Sequence, residues 1–193
     1  MLNYEYPPLG GGAANATRHI LEQFAGRGDI EVELATSSTG GFRHEDPAPN
    51  VRIHFLDIGK RGGLHYQTNK DLIRYAWEAG RYARALHAEK PFDVCHAFFG
   101  IPCGYVARKL HLPYIVSLRG SDVPFYNPRF RLMDRFLFRR MSRGIWRDAA
   151  LVVANSEGLR QLALQTAPEQ PIRLIRNGVN ADVFLPGERD EHE

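Results

Sequence analysis

Short apolar runs alternate with helical patterns along the whole chain. Met1, Leu2, Asn3 and Tyr4 read as the end of a strand. Residues 13–24 follow, with Ala16, Ile20, Leu21 and Phe24 on one face at the spacing of an amphipathic helix. Strand patterns recur at 30–35, 51–56, 92–98, 114–118, 151–154 and 172–175. Helical spacing predicts helices over 71–89, 104–110, 129–147 and 157–165. Residues 36–50 are polar and rich in Gly, Ser and Pro, which predicts a loop, and a basic glycine loop follows at 59–63. Seven short strands separated by helices or long connections predict an α/β fold. The expected form is Rossmann-like and doubly wound: a mostly parallel seven-stranded sheet with helices on both faces.

A chain of 193 residues with 44% hydrophobic and 24% charged residues fits one globular domain with a sizeable core. No apolar run reaches the ~18 residues of a membrane span, and the start lacks the basic-then-apolar order of a leader peptide. The expectation is a cytoplasmic location. Cys95 and Cys103 lie in or near apolar segments and read as reduced core residues, with no metal expected. The net charge of +3 hides an asymmetry. Residues 129–147 hold seven arginines, from Arg129 to Arg147, against the single acid Asp134, so the rest of the chain sums to −3. A projection at about 100° per residue places Phe130, Met133, Leu137, Met141 and Ile145 on a core-facing stripe. Leu132, Phe136 and Trp146 then fall among the arginines. Basic residues interleaved with aromatics suit an anionic membrane surface; the other reading is a solvated basic face, or one that packs on a missing domain or partner. Nucleic acid is not an expected partner, because no binding module accompanies this helix.

Right-handed crossovers place the C-terminal ends of parallel strands on one edge, where ligands bind. The first strand is followed by Gly10, Gly11 and Gly12, a glycine turn opening a helix. Such a turn lets backbone N–H groups approach a ligand closely. The fourth strand carries His96, the fifth gives Arg119-Gly120-Ser121-Asp122, and the seventh gives Arg176-Asn177-Gly178. A nicotinamide site is not expected. Asn15 stands where Gly-x-Gly-x-x-Gly needs its third glycine, and the second strand ends in Ala35-Thr36-Ser37 without a carboxylate. Neither a P-loop nor a Gly-x-Ser-x-Gly elbow occurs.

Four stretches together resemble the N-terminal half of a family 4, "group 1" glycosyltransferase. They are Asn3-Tyr4-Glu5-Tyr6-Pro7-Pro8-Leu9-Gly10-Gly11-Gly12, then Phe92-Asp93-Val94-Cys95-His96-Ala97, then Ser117-Leu118-Arg119-Gly120-Ser121-Asp122-Val123-Pro124, and the closing Ile175-Arg176-Asn177-Gly178-Val179-Asn180-Ala181-Asp182-Val183-Phe184-Leu185-Pro186. The resemblance covers nearly the whole chain. It implies one half of a GT-B arrangement, in which two Rossmann-like domains face each other across a cleft. It also implies retaining, metal-free transfer of a sugar from a nucleotide-sugar to a glycan or lipid-linked acceptor. Residues 1–186 would form the acceptor-side domain. Residues 187–193 would be a polar tail, or the start of a linker to a C-terminal donor domain without which the chain is expected to be inactive.

By the same resemblance, Gly10, Gly11 and Gly12 lie against the donor diphosphate or the acceptor hydroxyl, and Arg119, Ser121 and Asn177 join the substrate site. His96 and Asp122 are the catalytic candidates. His96 has a second reading as hydrogen-bonded structure. Arg119 stands where the commoner form has His; an arginine binds anions but is no general base near neutral pH, and it has a second reading as an ion pair with Asp122. Asp122 either orients a hydroxyl or caps the next segment, and Asn177 suits hinge geometry. The alternative function is a non-catalytic Rossmann-like module that binds a phosphate-bearing ligand, a membrane surface or a protein.

Overall fold

The computed structural model describes residues 1–127, 132 and 134–180. Helix α1 (Gly12–Phe24) follows the glycine turn and leads to β1 (Val32–Ser38), β2 (Arg43–Ala48) and β3 (Val51–Asp57). Then come α2 (Asn69–Glu89), β4 (Cys95–Phe98), a turn (Gly100–Gly104) running into α3 (Tyr105–Arg108), and β5 (Tyr114–Leu118). A wide turn (Asp134–Phe138) opens α4 (Arg139–Arg147), followed by β6 (Leu151–Ala154), α5 (Glu157–Thr166) and β7 (Ile172–Leu174). The predicted tail and the boundary at residue 186 lie outside the described residues, as do Arg129, Phe130, Arg131 and Met133 of the predicted basic helix.

The strands form two sheets, ordered β2-β3-β1 and β4-β5-β6-β7, instead of the single seven-stranded sheet expected. The predicted first strand is reduced to Leu2, which bridges Ala35 and Ala97, one from each sheet. The predicted loop at 36–50 contains β2, which pairs antiparallel with β3 while the other named pairs are parallel. Nearly every β2 residue is exposed, so no apolar alternation marks it. An edge strand needs no buried face. Polar cross-strand contacts hold it instead: Arg52 grips Asp46 at 2.6 Å, and the Arg43 guanidinium lies 3.6 Å above the Phe55 ring.

Successive strand residues point to opposite faces, and the two faces carry different helices. On one, Leu21 of α1 joins Val32, Leu34, Val51, Ile53 and Phe55. On the other, Tyr75, Ala79 and Ala83 of α2 join Leu2, Ala35, Leu56 and Ala97. Helix α2 starts sharply because Thr68 and Asp71 exchange side-chain and backbone hydrogen bonds in a capping box. The α4 region corrects the projected stripe. Trp146, placed among the arginines by sequence, is completely buried beside Ile145 and Ser142. Leu137, placed in the core, is 50% exposed, like Leu132 at 73% and Phe136 at 70%. For Leu137 the cause is the Asp134–Phe138 turn, which takes more residues per turn than an α-helix and shifts the phase before α4; within α4 the buried face is Ser142, Ile145 and Trp146, wider than the projected stripe.

Candidate functional site

The loop after β5 is built around a buried carboxylate. Asp122 Oδ1 accepts hydrogen bonds from the N–H groups of Arg119 (2.9 Å) and Gly120 (3.0 Å), and Oδ2 from that of Gly100 (2.6 Å). It thereby ties the end of β5 to the turn after β4. Burial pushes its pKa up, and these N–H groups oppose that. Both oxygens accept from backbone of the loop before it and of the turn after β4, so the carboxylate braces these two turns and not the segment that follows it. Gly120 has φ +126°, and a Cβ there would sit 3.0 Å from the Tyr126 ring, so glycine is required twice over.

Arg119 meets Asp122 through its backbone N–H, and its side chain turns elsewhere. The guanidinium lies 4.2 Å over the Phe98 ring and donates Nη1–H to Asn177 Oδ1 at 2.9 Å. Its Nε is buried without a hydrogen-bond partner. Burial pushes the guanidinium pKa down to about 10, with Asp122 pulling it up. This is a partly desolvated positive charge with no side-chain ion-pair partner among the described residues. An oxyanion would satisfy it.

His96 lies two residues before the end of β4, on the same face as Phe98, with ring centroids 4.7 Å apart. Its Nε2 is 2.8 Å from Ser117 Oγ. Burial, then the chain-terminal ammonium, then Arg119 push its pKa down to about 3. The imidazole is therefore neutral at physiological pH. A base whose folded pKa is depressed leaves the folded state with fewer protons than the unfolded one. Its contribution to stability is complete above about pH 6.5 and is lost as pH falls toward about 3. In denaturant titrations at stepped pH, His96→Gln is expected to flatten the acid-side decline of stability by up to one proton. An unchanged slope would place the imidazole in a solvated setting.

The glycine loop is held from two sides. Gly10 has φ +91°, donates its N–H to Leu64 O at 2.8 Å, and would drive a Cβ to within 2.5 Å of Glu5 Oε2. A Cβ at Gly11 or Gly12 would meet open space. Loop 59–68 is pinned by Lys60, which is buried and reaches Tyr66 O at 2.8 Å and Asp71 Oδ2 at 3.0 Å. Glu5 faces the Gly11 N–H at 3.5 Å, with its pKa raised by burial and lowered by that N–H. Sequence reasoning passed over Glu5 and Lys60, although Glu5 stands inside the quoted opening motif and Lys60 inside the basic glycine loop. Tyr4 joins this region to the end of β5: its ring is 4.6 Å from that of Phe99, whose N–H donates to Ser117 O at 2.9 Å. His96, Ser117, Arg119 and Asn177 thus form one contiguous polar strip. Gly10–Gly12 connect to it through Glu5, Tyr4 and Phe99.

The model of Glycosyltransferase Family 4 matches residues 10–183. Among solved structures, a sucrose-phosphate synthase chain from Thermosynechococcus elongatus superposes with a TM-score of 0.65 at 18% identity, covering 94% of this chain and 90% of that one. That likeness speaks to the Rossmann-like fold. No curated protein sequence matches.

Proposed function

We infer the function from one premise: the chain belongs to Glycosyltransferase Family 4. The reading it supports is the acceptor-side domain of a retaining enzyme that takes a sugar from a nucleotide-sugar, without a metal, in a cleft shared with a C-terminal donor domain. The observation that carries it is the family match together with the polar strip from His96 to Asn177 beside the glycine loop. Glu5 refines the role of that loop. A carboxylate already faces the Gly11 N–H, which disfavours a diphosphate there and suits an acceptor hydroxyl that donates to Glu5. Arg119 is then the group that meets negative charge. His96, neutral and bonded to Ser117, positions this face, and Asp122 braces it from beneath.

The test is a calorimetric titration of the chain with nucleotide-sugars and phosphosugars, in parallel with a sugar-transfer assay. Binding of at least one of these ligands, weakened when Gly11→Val narrows the open side of the loop, is the expected result, with negligible turnover by the 193 residues alone. Binding by none of them would remove the reading.

A peripheral membrane contact has its own support. Leu132, Phe136 and Leu137 stand exposed beside Arg135 and Arg140, a basic, apolar surface complementary to anionic lipid. Among the described residues no helix is long and apolar enough to cross a membrane. In vesicle sedimentation the chain is expected to pellet with anionic and not with neutral lipid, and Phe136→Asp to release it. Equal partition would end the membrane reading.

A further inference from the structure

Past β7 the Ile175 N–H donates to Ala154 O at 2.9 Å, and the chain then runs exposed and irregular through Arg176, Asn177 and Gly178. Among the described residues the backbone N–H groups of 176–178 make no hydrogen bond. A Cβ on Gly178 would meet open space, so nothing crowds its nitrogen. What grips the segment is one side-chain contact, the Nη1–H that Arg119 donates to Asn177 Oδ1 at 2.9 Å. That hydrogen bond falls on the side-chain carbonyl of the only Asn-Gly pair in the sequence.

Other asparagines of the chain are held or followed by bulkier residues. Asn50 donates Nδ2–H to the carbonyls of Phe24, Arg27 and Ile30, and its Oδ1 accepts the Gly26 N–H. Asn3 is buried and donates to Thr17 Oγ1 at 2.7 Å. Asn155 leads into Ser156, whose side chain caps α5.

We propose that Asn177 is a modification site: its side chain closes on the Gly178 nitrogen and is converted to a carboxylate that pairs with Arg119. The Gly178 nitrogen gives its proton to water and attacks Asn177 Cγ. The new C–N bond closes a succinimide ring as the Cγ–Nδ2 bond breaks and ammonia leaves. One water then opens the ring, at one carbonyl to aspartate and at the other to isoaspartate. Glycine serves the attack because no side chain shields its nitrogen. Arg119 serves it because the oxygen it holds is the atom on which negative charge builds. In the aspartate product a charged oxygen replaces the amide oxygen. The guanidinium, whose Nε is buried without a partner, exchanges a neutral acceptor for an anionic one. On the reading above, in which Arg119 meets an anionic ligand, that carboxylate takes the ligand's place and the domain carries its own off-switch.

The test incubates the chain and its Arg119→Met variant at neutral pH and maps peptides by mass against time. Conversion at Asn177 is expected to outpace that at Asn155, and Arg119→Met to slow it about tenfold, less than a fully enclosed oxyanion donor supplies. Conversion no faster than at Asn155 overturns the proposal, and so do equal rates with and without the arginine. Melting reads the pairing. Asn177→Asp is expected to raise Tm by about 2–4 °C with Arg119 in place and not with Arg119→Met. No rise, or the same rise in both backgrounds, overturns the pairing. Titration with pyrophosphate separates this proposal from the reading it draws on. Asn177→Asp is expected to bind it about tenfold more weakly than wild type, and equal affinity overturns the off-switch. Wild type that binds none would remove Arg119 as an anion site, while the modification still stands or falls on the mass gain and the melts.

Discussion

Replacing Asp122 by alanine is expected to cost about 3–5 kcal/mol of stability and to lower Tm by about 10 °C or more. The carboxylate is the shared acceptor for the N–H groups of Gly100, Arg119 and Gly120. All three lose their partner at once in a setting with little water. Asp122→Asn keeps one acceptor oxygen, and its NH2 group then faces the Gly100 N–H, so a smaller loss is expected. Thermal melts of both variants check this. A Tm for Asp122→Ala equal to wild type would show that the brace is dispensable, and would return Asp122 to a direct role with substrate.

Arg119→Met is expected to move stability and binding in opposite directions. Methionine covers the Phe98 ring with similar bulk and removes a partly desolvated charge that has no ion-pair partner among the described residues, so Tm should hold or rise. Affinity for the anionic ligand found by titration should fall about 30-fold, the worth of hydrogen bonds to a charged group. Arg119→Lys keeps the charge without the planar fork, and intermediate affinity is expected. If Arg119→Met binds as wild type does, the arginine does not meet the ligand. If it melts much lower, the guanidinium is structural.

The sequence made most of the parallel framework legible, because buried parallel strands are apolar runs and the helices between them keep a helical period. It did not reveal β2, whose exposed edge position asks for no apolar face. It misplaced Leu137 because a wide turn resets the phase before α4, about which periodicity carries no information, and Trp146 because the buried face of α4 is wider than a single stripe. In the site, Gly10, Arg119 and Asp122 were visible as strand-end residues. Their division of labour was not: whether Asp122 holds backbone or substrate depends on the folding-back of a loop, which residue type alone does not encode. Glu5 escaped for a related reason, since only the turn of the glycine loop brings its carboxylate beside Gly11.

The contrast between the two tryptophans gives this domain a built-in optical probe. Trp77 is 66% exposed, whereas Trp146 is sealed, with its indole nitrogen about 3.2 Å from where a Cβ on Gly100 would lie. An aqueous quencher such as iodide will silence Trp77 and leave a blue-shifted emission from Trp146. That residual light comes from directly beneath the loop carrying Arg119, so loosening of this floor becomes visible without a label.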